Sequence, residues 1–599
     1  MKVIDRIKVA KDIKSLSVKE LETLCFEIRE EIISVVKNNG GHLSANLGIV
    51  ELTLALYYTF DFPTDKLIFD VGHQCYAHKI LSGRRDKFGS IRTNGGLSGF
   101  PDRNESEYDA FTSGHAGNSI AVSLGYCFAR NKLKDDYFII NVVGDGAFSN
   151  GLNLEAITSS ENKPSKYITI LNDNGMSISK NKNGLYRVLS KTTAKKAYIR
   201  NKKVIKKIFG ESFITRGLIR FKDFIKRSLN KKNYIEQFGY KYVGVEDGND
   251  LKGLIKTLAT LKNTTSDRAV FLHVKTTKGK GHEKAEERSD TYHGVGKDLE
   301  SSFGTFSEEL GRTLNEIIKD NDKVIAITAA MKDGTGLSIV KENHPDNFID
   351  VGIAEEYAVT LAGGMASGGA LPIVCIYSTF MQRAYDQILS DVCMQNLPVV
   401  FCIDRSGLVG EDGKTHQGVF DISFLAGIPN LTILAPSSVE ELKPTIEYAL
   451  SLKSPVAIRY PKSGTQKREY LGEYSPSRFN ELVSADADVV ILAVGPNCCD
   501  LALGYAKTYG KVTVVSCGVI KPLDTASLEK YRNKKIITIE ENSVIGGFGS
   551  MVSAYFSADG KTKVYAMGVQ DEFIAHATIK EQFASAGLTI EKIKEIIKS

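Results

Sequence analysis

Ten short β-rich apolar runs punctuate the chain: YFIINVVG (137–144), SKYITILN (165–172), AVFLHVKT (269–276), KVIAITAA (323–330), LPIVCIYS (371–378), LPVVFCID (397–404), LTILAP (431–436), DVVILAVG (488–495), KVTVVSCG (511–518) and KKIITIEE (534–541). Gly, Asp, Asn or Pro bound them, and segments long enough for helices separate them. Near-continuous apolar strands spaced by helices predict parallel sheets covered on both faces. The expected fold class is α/β, with three successive domains of mostly parallel sheets under helices. Polar stretches near 295–305 and 463–487 suggest divisions at 1–300, 301–470 and 480–599.

Composition agrees with that division. A chain of 599 residues, 42% hydrophobic and 25% charged, exceeds what one core can organise. Its longest apolar stretch, 361–377, is broken by two Gly-Gly pairs and a Pro, which suits a buried helix and strand rather than a membrane span. The opening MKVIDRIKVAKDIKSL has no apolar core of a signal peptide, so the expected location is the cytoplasm. Nine cysteines without a CxxC pair point to reduced thiols in cores, not to disulfides or zinc.

The net charge of +6 is local: residues 191–232 hold fifteen Lys or Arg against two acids, so the rest of the chain is acidic. Within that run Val204, Ile205, Ile208, Leu218, Phe221, Phe224 and Ile225 recur at helical spacing. Two amphipathic surface helices with solvated lysines account for this pattern. A mobile cover over 184–240 that attracts anionic substrates is the other reading. No nucleic-acid-binding motif accompanies the charge, so neither nucleic acid nor membrane is an expected partner.

Candidate chemistry gathers at strand ends. VVGDGAFSNG ends one run with Gly144, Asp145 and Gly146, and ILNDNGMSIS ends another with Asn172, Asp173 and Asn174. Ligands of open parallel sheets sit beyond the carboxyl ends of strands. Glycines let backbone approach a phosphate, while Asp145 and the Asn174 amide oxygen are hard donors of the kind that hold Mg²⁺ together with substrate phosphates. A different puzzle is GIAEEYAV (352–359), which sets Glu355 and Glu356 into an apolar run. A buried ionised carboxylate is costly unless something partners it.

The GDG followed about 27 residues later by NDN resembles the diphosphate-binding signature of thiamine diphosphate enzymes. GGHLSANLGIVELTLALYYTF, DVGHQCYAHKILSGRRDKF, NESEYDAFTSGHAGNSIA, GIAEEYAVTLAGGMASGG, IDRSGLVGEDGKTHQGVFDISFL, AIRYP and EENSVIGGFGS narrow the resemblance, in order from roughly residue 10 to the C-terminus. They are similar to the 1-deoxy-D-xylulose-5-phosphate synthase family, and they separate it from transketolase and the pyruvate dehydrogenase E1 component.

That resemblance implies a transketolase-like fold and a homodimeric transferase using thiamine diphosphate and Mg²⁺. It also implies the reaction: decarboxylative condensation of pyruvate with D-glyceraldehyde 3-phosphate to 1-deoxy-D-xylulose 5-phosphate and CO₂. This is the first step of non-mevalonate isoprenoid synthesis and a source of thiamine and pyridoxal precursors. In the family the cofactor lies between the first and second domains.

By the same resemblance Glu355 is the carboxyl that hydrogen-bonds the cofactor's pyrimidine nitrogen, which gives the lone acid its partner. Asp145, Asn174 and Met176 would hold the metal. His73, Gly114, His115, Ala116, Gly144, Gly146, Ala147, His282 and Phe380 would contact the cofactor. His42, His293 and His416 are candidates for proton transfer and for orienting pyruvate. Asp412 would contact the acceptor, and Arg383 and Tyr377 are further catalytic candidates. Arg405 and Arg459 would bind its phosphate, since the planar guanidinium fork matches phosphate oxygens. Arg459→Ala is then expected to raise the acceptor KM far more than the pyruvate KM.

The chain departs from the family pattern at four places: Tyr357 for a usual His, His282 for a usual Tyr, Asn249 for a common His, and Gly117 within GHAGNS in place of a Ser/Thr-rich turn. A paralogue with another donor or acceptor, and a non-catalytic binding relative, remain alternatives at this point.

Overall fold

A computed structural model describes residues 2–159, 163–175, 234–264, 268–289, 292–296, 305–464 and 467–599. Met176 and the basic run 191–232 lie outside the described residues. Contacts gather the chain into two compact units, Met1–Gly89 with Gly99–Lys297, and Ser90–Ser98 with Asp298–Ser599.

The first unit is built on five parallel strands, β1 Lys66–Phe69, β2 Ile139–Gly144, β3 Tyr167–Asp173, β4 Lys241–Asp247 and β5 Val270–Lys275, in the order β1-β2-β3-β5-β4. All seven residues of β3 are buried, as a central strand covered on both faces requires. The β2–β3 register sets Gly144 beside Asn172, so the GDG and NDN turns leave the same edge of the sheet. A helix at Val18–Asn39, opened by a reciprocal Ser17–Glu20 capping box, covers part of this unit.

The second unit holds two sheets. Strands β6 Val324–Thr328, β7 Phe348–Asp350, β8 Leu371–Tyr377, β9 Val400–Asp404, β10 Thr432–Leu434 and β11 Val456–Arg459 come first along the chain. β12 Phe479–Val483, β13 Val489–Val494, β14 Thr513–Cys517, β15 Val519–Lys521, β16 Lys535–Ser543 and β17 Lys563–Val569 follow. The seven-stranded sheet runs β15-β10-β11-β9-β8-β6-β7, and the five-stranded one β12-β14-β13-β16-β17. Each is parallel except for one antiparallel edge strand, β15 and β12 respectively. Pairing of Tyr377 with Asp404 and of Arg459 with Ile403 aligns the ends of β8, β9 and β11. One apolar core runs from Phe306 through Ile403 and Ile458 to Phe548, so the two sheets share it.

All nine cysteines are buried and free, in line with reduced thiols in cores. Among the described residues no helix is long and apolar enough to cross a membrane.

Candidate active site

In the first unit, Asp145 opens a short helix directly after β2 and is 4% exposed. Its own Oδ1 accepts the Gly146 N–H at 3.0 Å. Burial, and then the charge of Asp173, push its carboxyl up to about 7. A carboxylate so raised gains most from a bound cation, so the donor set fits a divalent metal. Among the described residues no three His, Cys, Asp or Glu side chains form a metal cluster. One carboxylate, one amide and ligand phosphates is the Mg²⁺ pattern instead.

The NDN residues divide their tasks. Asn172 is tied down, donating to Gln74 Oε1 at 2.8 Å and accepting from Thr276 Oγ1 at 2.6 Å. Asp173 lies 2.8 Å from His273 Nε2 and accepts the Gly175 N–H at 2.9 Å. Asn174 follows the strand, half-buried.

Three histidines from distant segments meet in this unit. The rings of His42, His73 and His293 lie 5.3 to 5.6 Å apart, centroid to centroid, and Phe100 stands 5.5 Å from His42. Asn46 joins two of their segments, donating to the carbonyls of His42 at 2.6 Å and His73 at 2.7 Å. An antiparallel bridge between Gly41 and Val295 and the Ser44 Oγ bond to Ser289 O at 2.9 Å bring in the third. Burial, then Lys278 and the other two histidines, hold His293 well below the usual imidazole range, so its ring is neutral at neutral pH. Asn46 and Lys278 were not among the sequence candidates; the NLG after GGHLSA gives no sign that Asn46 bridges two histidines.

The Gly114, His115, Ala116 turn is anchored from below. Asp70, at the end of β1, accepts the N–H groups of Gly117 at 2.8 Å and Ser119 at 3.1 Å. Gly117 has φ +94°, and a Cβ there would lie 2.1 Å from Asn150 Oδ1, so this chain's own packing demands its glycine. His282 caps the Glu283–Glu287 helix, Nδ1 accepting the Ala285 N–H at 3.2 Å. Asn249 accepts the Thr277 N–H at 2.9 Å and donates to Glu51 Oε2 at 3.1 Å, so two of the departures act here as local fasteners.

In the second unit Glu355 is the first residue of the helix Glu355–Ser367 and is 3% exposed. Its Oε2 accepts no hydrogen bond among the described residues, and Arg383 Nη1 stands 3.9 Å away. Burial, opposed by Arg383, pushes the carboxyl up to about 7. An acid left in this state fits a ring nitrogen that shares its proton.

Beyond the ends of β8 and β9 lie the aromatic and phosphate candidates. Tyr377 and Phe380 stack at 5.9 Å, and His416 stands edge-on to Phe380 at 5.6 Å. The Arg405 guanidinium lies 4.0 Å over the Tyr377 ring, and its Nε donates no hydrogen bond among the described residues. Asp412 forms an ion pair with Arg92. Arg459 is placed differently from Arg405: its Nε donates to Asp421 at 3.0 and 3.1 Å and its Nη2 to Glu541 O at 3.2 Å.

Residues 305–467 match the transketolase pyrimidine-binding domain and 480–593 the transketolase C-terminal domain. Such a pairing defines a transketolase-type transferase dependent on thiamine diphosphate and Mg²⁺. Residues 4–276 match the model described as 1-deoxy-D-xylulose-5-phosphate synthase. The enzyme of that name from Carboxydothermus hydrogenoformans is 44% identical over 99% of this chain and 98% of its own. Those from Clostridium tetani and Clostridium acetobutylicum are 44% and 42% identical over 99% of both chains. This chain belongs to the 1-deoxy-D-xylulose-5-phosphate synthase family.

Proposed function

We infer that this chain condenses pyruvate with D-glyceraldehyde 3-phosphate, releasing CO₂ and forming 1-deoxy-D-xylulose 5-phosphate. The observation that carries the site reading is Glu355: a buried carboxyl pushed up to about 7, whose Oε2 accepts no hydrogen bond among the described residues, in a chain whose relatives bear this enzyme's name.

Bound thiamine diphosphate supplies the carbon nucleophile and the electron sink for decarboxylation. Asp145 and Asn174 would hold Mg²⁺ and through it the diphosphate, and the cation's charge offsets what burial and Asp173 do to Asp145. Glu355 would share its proton with the cofactor's pyrimidine nitrogen, while Arg383 restrains how far the carboxyl can be neutralised. Phe380 and Tyr377 present a flat apolar wall. His293, kept neutral, accepts a proton near its two histidine neighbours, where pyruvate is oriented. Arg405, stacked on Tyr377, offers its guanidinium to the acceptor's phosphate. His416 and Asp412, on one loop, meet the acceptor's hydroxyl and aldehyde.

We further propose a cytoplasmic homodimer whose domains span 1–300, 301–470 and 480–599, a division supported by the matched ranges and by the three sheets. Light scattering behind size exclusion reads the mass directly; a monomer would overturn the dimer. For the reaction, purified protein with pyruvate, D-glyceraldehyde 3-phosphate, thiamine diphosphate and Mg²⁺ is expected to yield CO₂ and a five-carbon ketose phosphate by mass spectrometry. EDTA abolishes the product and excess Mg²⁺ restores it. Absence of product with the full mixture overturns the assignment.

A further inference from the structure

The loop at 407–418 carries Asp412 and His416. At its base Gly407 and Gly418 exchange backbone hydrogen bonds of 2.7 and 2.8 Å. Its middle contains Gly410 and Gly413, residues that lose much conformational freedom on ordering. Something outside the loop must hold it.

The segment at 574–582, from the far end of the same unit, does so. Gln582 is 1% exposed, accepts the Gly410 N–H at 2.9 Å, and donates to Gly410 O and Ala575 O at 2.8 Å each. Its amide thus binds Gly410 as a neighbouring strand would. Gln417 works in parallel from within the loop, accepting the Val409 N–H at 2.8 Å and donating to Ile574 O at 3.4 Å.

Between Asp412 and His416 the loop turns at Gly413, φ +67°, where a Cβ would lie 2.8 Å from His576 N and 2.9 Å from its Cβ. The backbone of His576 is therefore packed against the turn that spaces the two side chains. His576 Nε2 reaches Gly96 O at 3.1 Å, in the 90–98 segment that also supplies Arg92 to Asp412. The Gln582 amide hydrogen-bonds to Gly410 and Ala575, so it fixes the backbone two residues before Asp412.

We propose that the 574–582 segment is the positioning element of the acceptor loop, and that Gln582 sets acceptor affinity by pinning Gly410. The proposal rests on the reading of 407–418 as the acceptor-contacting loop. Gln582 is a positioning residue, acting through backbone.

Gln582→Leu keeps the volume and removes the hydrogen bonds, while Gln582→Glu keeps the bond accepted from Gly410 and removes the two donated. In the Mg²⁺–thiamine diphosphate enzyme, Gln582→Leu is expected to raise the glyceraldehyde 3-phosphate KM about tenfold, the scale of losing two or three neutral hydrogen bonds of positioning. Gln582→Glu, which sets a buried carboxylate against the Gly410 and Ala575 carbonyls, should raise it at least as much. The pyruvate KM, and thiamine diphosphate affinity by calorimetry, should stay within about twofold. Hydrogen exchange should quicken across 407–418 in both variants.

Leu588→Ala, in the neighbouring apolar core, serves as the stability control: it should lower the melting temperature without shifting the acceptor KM. The proposal is overturned if Gln582→Leu behaves like Leu588→Ala, or if both KM values move together. Should the parent enzyme not turn over this acceptor, the functional reading fails separately. Exchange then decides the inference, and unchanged exchange at 407–418 in both Gln582 variants overturns it.

Discussion

Glu355 and Arg459 are both buried ionisable residues, but their surroundings are opposite. Glu355 Oε2 accepts no hydrogen bond among the described residues, and burial pushes its carboxyl up to about 7. Glu355→Gln, which cannot share a proton with a ring nitrogen in the same way, should lower kcat by about 10²–10⁴-fold. Thiamine diphosphate affinity by calorimetry should fall much less, and a kcat within threefold of the parent would sink the role. Arg459, by contrast, already answers the charge of Asp421. Breaking a buried pair by removing one partner costs about 3–5 kcal/mol, so Arg459→Ala should lose stability first and should raise both KM values. Arg405→Ala should instead raise the acceptor KM selectively. A selective acceptor effect for Arg459→Ala with an unchanged melting temperature would restore it as a phosphate ligand. Glu355 was legible because an acid in an apolar run needs a reason. Arg405 and Arg459 looked alike, because both stand at strand ends and the Asp421 contact spans 38 residues of sequence.

Among the elements, every one of the ten apolar runs is a strand in one of the three sheets. Those without such a run are mostly edges or short pieces: β4 and β17 carry exposed positions, and β7 and β15 have three residues each. An edge strand needs one apolar face or none, so its pattern dissolves into the polar background. β12 was hidden inside the polar stretch assigned to a boundary. Helical phase also places Tyr357, one of the four departures from the family pattern. In Glu355–Ser367 the buried positions are Glu355, Ala358, Val359, Ala362, Gly363 and Ala366, the i, i+3, i+4, i+7 stripe of a helix packed on one side. Tyr357 falls on the other face and is 57% exposed. It follows Glu355 by two residues, and two residues along a helix point about 200° away. Tyr357→His, which restores the family's usual residue, should therefore leave kcat and the thiamine diphosphate affinity within about twofold. A larger change would mean that this face meets a site on a second subunit.

At the scale of the whole molecule the sheets were readable and the assembly of segments was not. β15, from the C-terminal region, closes the edge of the second sheet, and 90–98 belongs with residues far along the chain. Neither contact leaves a periodic trace. The summed buried acids do make a prediction. Burial pushes Asp145, Glu355, Glu540 and Glu541 up to about 7, and Asp404 to about 6. Native protein therefore holds protons that the unfolded chain, with carboxyls near 4, has already released. Unfolding releases protons, so the stability these groups contribute is complete below about pH 4 and is lost as pH rises through 6 to 7. His293 and His78 act in the opposite sense, since burial lowers both, but their effect is complete above about pH 6.5, the unfolded imidazole value. Above that point the carboxylates set the slope, and the buried thiols, raised by burial likewise, act in the same sense as unfolded cysteines begin to ionise near pH 8.5. The cofactor-free protein should melt several degrees lower at pH 8 than at pH 6.5 by calorimetry. Mg²⁺ and thiamine diphosphate should flatten the slope, because the cation answers Asp145 and the pyrimidine nitrogen answers Glu355, leaving the C-terminal pair and Asp404. A cofactor-free melting temperature that rises over this interval would show that these acids are ionised in the native state, and would remove the basis for reading Glu355 as a proton-sharing group.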